Sequence, residues 1–362
     1  MGNLLGSPKT DKETHTGTTT CGMEYGVSSM QGWRIHMEDA HICEPNLYAQ
    51  APQRTEEAAT KILLEGHSLF AVFDGHGGSF AALYAGANLC RVLSHQPKFV
   101  AYATFVHERP EKEKDLPGTV ERLKYVQSGL GLLEGALRDA FVEIDREILL
   151  AVQGHPVSHA NQPYHDDTQN PATEVPQPNK DEDSGSTAVV VLLTPQWVVC
   201  ANAGDSRAVF CKQGHSPVPL SYDHKPDDDD EERRIKAAGG YVASGRVEGD
   251  LAVSRGLGDY RFKEVNTVLL GNEYYTTPTT STGNDTQKLP RAPEHLKVTA
   301  CPDIIVQNRN LDTDEFIVVA CDGIWDVQSN YDFVKTVADI FNEGESNIGT
   351  VCEEVSQLHL FD

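Results

Sequence analysis

The sequence predicts an α+β domain built from packed sheets, and three observations lead there. Apolar, β-branched runs recur along the chain: "LFAVF" (69–73), "TAVVVLLTPQWVVCANA" (187–203) and "EFIVVA" (315–320). Apolar residues at helical spacing occur in a pair of stretches in the first half and again at the end. Strands and helices do not alternate as β-α-β units and no repeat is present, which disfavours a doubly wound parallel sheet. Of the 362 residues 39% are hydrophobic, enough for a real core.

Taken in order, residues 1–22 are polar and rich in Thr, Gly and Lys, and are expected as a flexible tail before a domain over 23–362. "LFAVFDGHGG" (69–78) reads as a strand running into a glycine-rich loop. "SFAALYAGANLCRVL" (79–93) has helical spacing, with Phe80, Leu83, Ala87 and Val92 on one side. A second helix is expected within 120–153, where "LLEGALRDAFVEIDREILLAV" spaces apolar residues three and four apart. Residues 154–183 carry prolines at 156, 163, 171, 176 and 178 and almost nothing to bury, so they read as a loose insertion. The runs on either side of "TPQ" (194–196) predict a hairpin. "DDDDEERRIKAAGG" (227–240) lacks an EF-hand pattern and reads as a helix, acids first and bases later. Its Asp229–Arg233, Asp230–Arg234 and Glu232–Lys236 spacings allow i,i+4 pairs. Residues 271–297 form a second loose insertion. "EFIVVACDGIWD" (315–326) is another buried strand ending in Asp-Gly, followed by a helical stretch.

Composition excludes several functions. No apolar run approaches the ~20 residues of a membrane span, and the opening is not a secretory signal. The eight cysteines are scattered without a C-x-x-C pair, which reads as reduced thiols in a cytoplasmic protein. A net charge of −24 argues against nucleic acid. It suits metal cations and basic peptides, or simply solubility.

The chemistry starts at two strand ends. Asp74 and Asp322 each follow an apolar run and precede a glycine. Both fit ordinary Asp-Gly turns. They also fit a pair of carboxylates sharing a divalent ion, because two such acids in one dry pocket repel unless a cation or a proton intervenes. Hard oxygen donors select Mg2+, Mn2+ or Ca2+ over zinc. His76 is not a usual turn residue, and the glycines around it imply a crowded backbone. "QGWRIHMEDAH" (31–41) adds Arg34, Glu38 and Asp39; if this stretch is a strand, Arg34 and Glu38 share a face. An Arg beside metal-binding acids suits a phosphate, and equally a surface salt bridge.

"GWRIHMEDAH", "FAVFDGHGG", "SGSTAVVVL", "NAGDSRAVF", "DHKP", "AGGYV", "GDLAVSRGLGD" and "VVACDGIWDV" occur in this order. Together they resemble the metal-dependent serine/threonine protein phosphatases of type 2C, the PPM family, from about residue 23 to 358. The resemblance implies a β-sandwich of two antiparallel sheets flanked by helices, with two Mg2+ or Mn2+ ions at one end. It implies that Asp74 bridges the ions, Gly75 binds one through its carbonyl, Asp322 binds the other, and Glu38 and Asp39 act through waters. A metal-bridging hydroxide would attack phosphorus, Arg34 would clamp the phosphate, and His76 would be the general acid. Phosphorylated proteins would be the partners of an expected monomer, and residues 227–240 would belong to a flap near the site.

A third ion in some relatives points to the acids before "SGST": Glu182 stands in register, with Asp183 beside it. Gly2 becomes an acylation candidate, and one acyl chain gives only marginal membrane association. The resemblance also implies a later metal-binding Asp and a last strand. The chain ends at "VCEEVSQLHLFD", so a C-terminally incomplete domain with weak activity is expected. Two competing functions are a catalytically weak or dead relative that binds phosphoproteins or a partner, and an enzyme using Asp322 as a phosphoryl-accepting nucleophile. The second lacks the acid two residues on, since position 324 is Ile.

Overall fold

The computed structural model describes residues 4–51, 60–108, 128–157, 164, 178, 183–263 and 292–358. In chain order, β1 (Leu4–Thr18) pairs with β2 (Glu24–Arg34). Next come β3 (Ala40–Glu44), the pair β4 (Leu47–Ala51) and β5 (Thr60–Leu64), β6 (Ser68–Phe73) and the two-residue β7 (Gly75–His76). Helices α1 (Phe80–Ser94), α2 (Pro97–Glu108) and α3 (Leu130–Val152) precede β8 (Gly185–Ser186), β9 (Ala188–Leu193), β10 (Trp197–Ala203), β11 (Arg207–Lys212) and β12 (Ser216–Pro219). Helix α4 (Asp229–Ala237), β13 (Val242–Ala243), β14 (Arg246–Val247), β15 (Leu257–Gly258) and α5 (Tyr260–Lys263) form a side excursion. The chain continues through β16 (Asp303–Asn308), β17 (Asp314–Ala320), α6 (Asp322–Trp325), α7 (Asn330–Asn342) and α8 (Ile348–Leu358).

Two antiparallel sheets stack between helices. One has the order β16-β10-β9-β6-β3, the other β12-β11-β17. Period-two alternation explains the stacking. In β9, Val190 and Leu192 join the cluster formed with α1, α2 and α3, while Val189, Val191 and Leu193 meet Ala208, Phe210, Ile317 and Val319 of the second sheet. The outer face of that sheet, with Val209, Phe316 and Val318, packs on α6, α7 and α8 through Trp325, Phe333, Val337 and Val355. Each fully buried Val or Leu contributes ~1.5–3 kcal/mol of apolar transfer. Strands with both faces covered therefore read as unbroken apolar runs. The hairpin about Thr194–Gln196 is β9–β10, closed by Val198 opposite Leu193.

Several expectations change. Residues 4–18, expected within a flexible tail, form β1. The strand lacks apolar alternation and is held by its backbone ladder to β2, with register shifts around Lys9 where Pro8 cannot donate. The stretch around Arg34 is not one strand: β2 ends at Arg34, and Gln31 Nε2 donates to the carbonyls of Arg34 and Ile35 (2.9 and 2.7 Å) as the chain turns. In α1 the buried stripe runs through Phe80, Ala81, Tyr84, Ala85, Leu89 and Val92, whereas Ala87 is exposed. In α4 only Glu232–Lys236 pairs at i,i+4. Asp230 takes Arg233, and Glu231 takes Arg234, because a run of acids offers each base a choice of partners.

Most of both loose insertions lies outside the described residues; of the described ones, residues 154–156, 183, 294 and 295 are exposed, but a few side chains are packed. Tyr164 is buried and stacks on Tyr48 with centroids 4.1 Å apart, its hydroxyl accepting from Tyr48 N–H. Residues Pro293–His295 make a helical turn, and Leu296 and Lys297 are buried after it. Among the described residues no helix is long and apolar enough to cross a membrane.

Candidate metal centre and active site

The two sheets bring Asp74 and Asp322 together. Asp74 directly follows β6, and its backbone is pinned from both sides. Thr187 N–H donates to its carbonyl (2.9 Å), and its own N–H donates to Thr187 Oγ1 (3.3 Å). Thr187 in turn meets Ser206 at 2.7 Å. Asp322 opens α6 just past β17. Carboxylate oxygens of Asp74 and Asp322 and the sulfur of Cys321 lie within 4.8 Å of one another.

Asp39 completes the acidic group. Gly75 N–H and the Cys321 thiol donate to its carboxylate, yet burial and the charge of Asp322 raise its pKa to about 6. Burial also holds Asp74 well above the usual carboxylate range, reinforced by the charges of Asp39 and Asp322, a hydrogen bond with Asp322, and Asp205. Burial and the surrounding acids keep Cys321 a protonated thiol, a donor to Asp39. The carboxylates thus crowd in a partly dry pocket where they cannot all ionise unaided. Their donor chemistry fits a divalent, oxygen-preferring ion such as Mg2+ or Mn2+.

Gly75 is where the backbone must come close. A Cβ there would stand 2.2 Å from the Glu38 carbonyl oxygen, so any side chain would push the Glu38–Asp39 segment off the pocket. Glu38 is therefore packed against Gly75 through its backbone. Arg34 is exposed at the end of β2, and its charge reaches Asp39.

His76 is built by a separate three-stranded sheet of order β15-β8-β7. His76 pairs with Gly185, and Gly185 with Gly258, which places the residue after Gly258 against the imidazole. Asp259 Oδ1 and Oδ2 lie 3.0 and 2.9 Å from His76 Nε2. Burial alone would lower the His76 pKa, but the Asp259 hydrogen bond and charge raise it above the ordinary value and favour the imidazolium. A Cβ on Gly185 would fall 2.2 Å from Asp259 Oδ2 and 2.4 Å from His76 Nε2. Asp259 itself has φ 53°, held by what lies beneath it. Asp145 on α3 accepts from Gly258 N–H (2.8 Å) and from Lys263 Nζ, 2.9 Å from both its oxygens. The Lys263–Asp145 pair is essentially without solvent exposure, and Lys263 also donates to the Gly256 carbonyl at 2.8 Å.

Asp183 does not join the Asp74–Asp322 group. Its carboxylate accepts from Tyr260 N–H (3.1 Å) and pairs with Arg261 (3.2 Å), beside Asp259. Glu182 lies outside the described residues, as does Gly2.

Sequence reasoning did not single out Asp259, Asp205, Lys225 or Cys321. Asp205 acts electrostatically on Asp74 and His76 and pairs with Lys225 at 2.5 Å. It follows the end of β10 as Asp74 follows β6, so an acid after a buried strand was the signal available. Asp259 closes the motif "GDLAVSRGLGD", but nothing local in it places the carboxylate against His76. The side excursion holding α4 to β15 is locked to the sandwich by Arg255, which pairs with Glu231 and with Asp303, each at 2.7 Å, and by His224, 3.2 Å from Asp303.

Comparison with known proteins agrees with this architecture. The family model for protein phosphatase 2C matches residues 23–359. Protein phosphatase 2C homolog 2 of Aspergillus flavus is 36% identical over 339 residues, covering 93% of this chain and 59% of that protein. Its namesake in Saccharomyces cerevisiae is 32% identical, covering 97% and 58%. A probable protein phosphatase 2C of Caenorhabditis elegans is 34% identical, covering 98% and 73%. The chain spans about three fifths of the length of the first of these relatives. The crystal structure of serine-threonine phosphatase 2C from Toxoplasma gondii superposes with a TM-score of 0.58 at 18% identity, covering 99% of this chain and 92% of that one, a likeness of fold. With its sandwich, its ordered motifs and its acidic pocket, the chain belongs to the protein phosphatase 2C family.

Proposed function

We propose that this chain hydrolyses phosphoserine and phosphothreonine monoesters on proteins, using two Mg2+ or Mn2+ ions. The observation that supports this most is the convergence of Asp39, Asp74 and Asp322 beside a histidine braced by its own carboxylate. Asp74 and Asp322 are the direct metal ligands in this reading, with the Gly75 carbonyl; Glu38 and Asp39 hold coordinated waters. Bound ions would supply Lewis acidity toward the phosphoryl oxygens and lower the pKa of a coordinated water.

The protein's own residues do the rest. Arg34, exposed beside the pocket, offers a planar fork to the phosphoryl oxygens. The leaving serine or threonine alkoxide needs a proton, and His76 holds one. Asp259 occupies Nε2, so Nδ1 is left to face the leaving group. The Lys225–Asp205 pair sets the local charge behind Asp74. A third ion would use Glu182 or Asp183, the latter only by giving up its contacts with Tyr260 and Arg261. Cytoplasmic, monomeric action on phosphoproteins, with marginal membrane association through an acylated Gly2, completes the proposal; mass spectrometry of the native amino terminus tests the acylation.

Hydrolysis of a phosphoserine peptide and of p-nitrophenyl phosphate, with Mn2+ or with EDTA, tests the activity. Metal-dependent turnover absent from Asp74→Asn supports it. Measurable Mn2+ binding without turnover would favour the binding-only relative.

A further inference from the structure

The turn between β11 and β12 carries a donor group at the opposite end of the β11–β17 pair from the acidic pocket. Cys211 lies near the end of β11, His215 sits in the turn, and Glu315 lies on the neighbouring strand β17. Glu315 Oε2 is 3.1 Å from Cys211 Sγ and 2.9 Å from His215 Nδ1, while Oε1 accepts from Gly214 N–H at 3.1 Å. One ligand atom from each of the three side chains lies within 4.8 Å of the other two. His215 adopts φ 57° after Gly214 at 79°, a pair of left-handed residues, and this brings the imidazole onto Glu315. Lys212, next to Cys211 in the chain, is already committed: its Nζ pairs with Asp314 at 2.9 Å.

We propose that Cys211, His215 and Glu315 bind a zinc ion. A thiolate, an imidazole and a carboxylate form a borderline-soft set that suits Zn2+ over Mg2+ or Mn2+. This is the opposite preference from the oxygens of Asp39, Asp74 and Asp322. Zinc bonds of ~2.0–2.3 Å place tetrahedral donors roughly 3.3–3.7 Å apart, so the two distances to Glu315 Oε2, 3.1 and 2.9 Å, need to open by only a few tenths of an ångström, while sulfur and imidazole already lie within 4.8 Å of each other. On binding, the Cys211 S–H and His215 Nδ1–H bonds break and bonds from sulfur and Nδ1 to zinc form; the thiol proton passes to solvent, and the Nδ1 proton is exchanged through solvent so that the neutral imidazole keeps its proton on Nε2. The carboxylate exchanges its hydrogen bonds from the thiol and the imidazole for the metal. Side-chain exposures of 43% for His215 and 29% for Glu315 leave a fourth position open to water. The ion would tie β11, the turn and β17 together.

The test uses the full chain, stripped of metal, with excess Mg2+ present and Co2+ or Zn2+ alone as the probe. The expected result is one equivalent of Co2+ giving a thiolate-to-metal charge-transfer band that Zn2+ displaces. Cys211→Ser abolishes the band, and Cys321→Ser, which removes the thiol beside the acidic pocket, leaves it. His215→Gln, at an exposed turn that does not test folding, weakens binding by at least about tenfold. Zn2+ raises the Tm of the wild type and not of His215→Gln. Absence of the band, a band removed by Cys321→Ser but not by Cys211→Ser, or unchanged affinity in His215→Gln overturns the proposal. None of these readouts depends on phosphatase activity.

Discussion

Replacing Gly185 by alanine isolates the His76–Asp259 pair. The new methyl would start 2.2 Å from Asp259 Oδ2 and 2.4 Å from His76 Nε2, where ordinary contact begins near 3.4 Å. Both groups must therefore retreat by about 1 Å, and they cannot do so together while keeping their 2.9 Å hydrogen bond. A displacement of ~1 Å in a catalytic group costs on the order of a hundredfold in rate. The loss has a chemical signature. A serine alkoxide needs the proton from His76, whereas p-nitrophenolate leaves readily without one. Gly185→Ala should therefore lower kcat on a phosphoserine peptide about a hundredfold and kcat on p-nitrophenyl phosphate far less, with Mn2+ affinity unchanged. Equal losses on both substrates, or none, would refute the assignment of His76 as the acid that Gly185 makes room for.

Other consequences follow from buried groups. His67 donates from Nδ1 to the Glu65 carbonyl at 2.9 Å, and Tyr102 hydroxyl meets Nε2 at 2.8 Å; burial lowers the His67 pKa to about 4. The unfolded chain takes up this proton first, so His67's contribution is complete above pH ~6.5 and declines as pH falls toward 4, by up to ~3 kcal/mol. Urea midpoints at neutral and acid pH should show this slope in the wild type and a shallower one in His67→Gln. Lys263→Met leaves Asp145 buried without its cation, which should cost ~3–5 kcal/mol and be read as a lowered Tm; an unchanged Tm would mean that the Gly258 and Tyr260 donors suffice. Gly75→Ala drives a methyl into the Glu38 carbonyl, so calorimetry should find Mn2+ binding weakened while the distant hairpin β4–β5 keeps its amide protection.

Strand ends were the legible part of the site. Asp74 and His76 follow the largely buried β6, and Asp322 follows β17, whose half-buried apolar residues pack on both neighbouring clusters, so the apolar runs mark where the chain turns, and "TPQ" marks its hairpin in the same way. Asp259 was not legible, because its place beside His76 depends on β8 pairing with β7 on one side and with β15 on the other, both far away along the chain, not on any local pattern. Cys321 looked like the end of a strand, but it caps a helical turn and donates to Asp39. Strand β1 escaped notice since a ladder to β2 needs no apolar alternation. In α4 Arg234 pairs with Glu231 at i,i+3 and not with Asp230 at i,i+4 because Glu231 is buried with Arg234 and Arg255, a tertiary contact that outweighs helix spacing, whereas Glu232–Lys236 keeps its i,i+4 pair. That contact also holds the Glu231 pKa down, to about 2, against the opposing effect of burial.

The proposed chemistry rests on Asp39, Asp74 and Asp322 holding metal ions. Anomalous diffraction from crystals soaked in Mn2+ tests it most directly. Peaks are expected within the carboxylates of Asp74 and Asp322, beside the Gly75 carbonyl, and they should be lost in Asp74→Asn. A pocket without anomalous density at saturating Mn2+, or peaks that persist unchanged in Asp74→Asn, would contradict it.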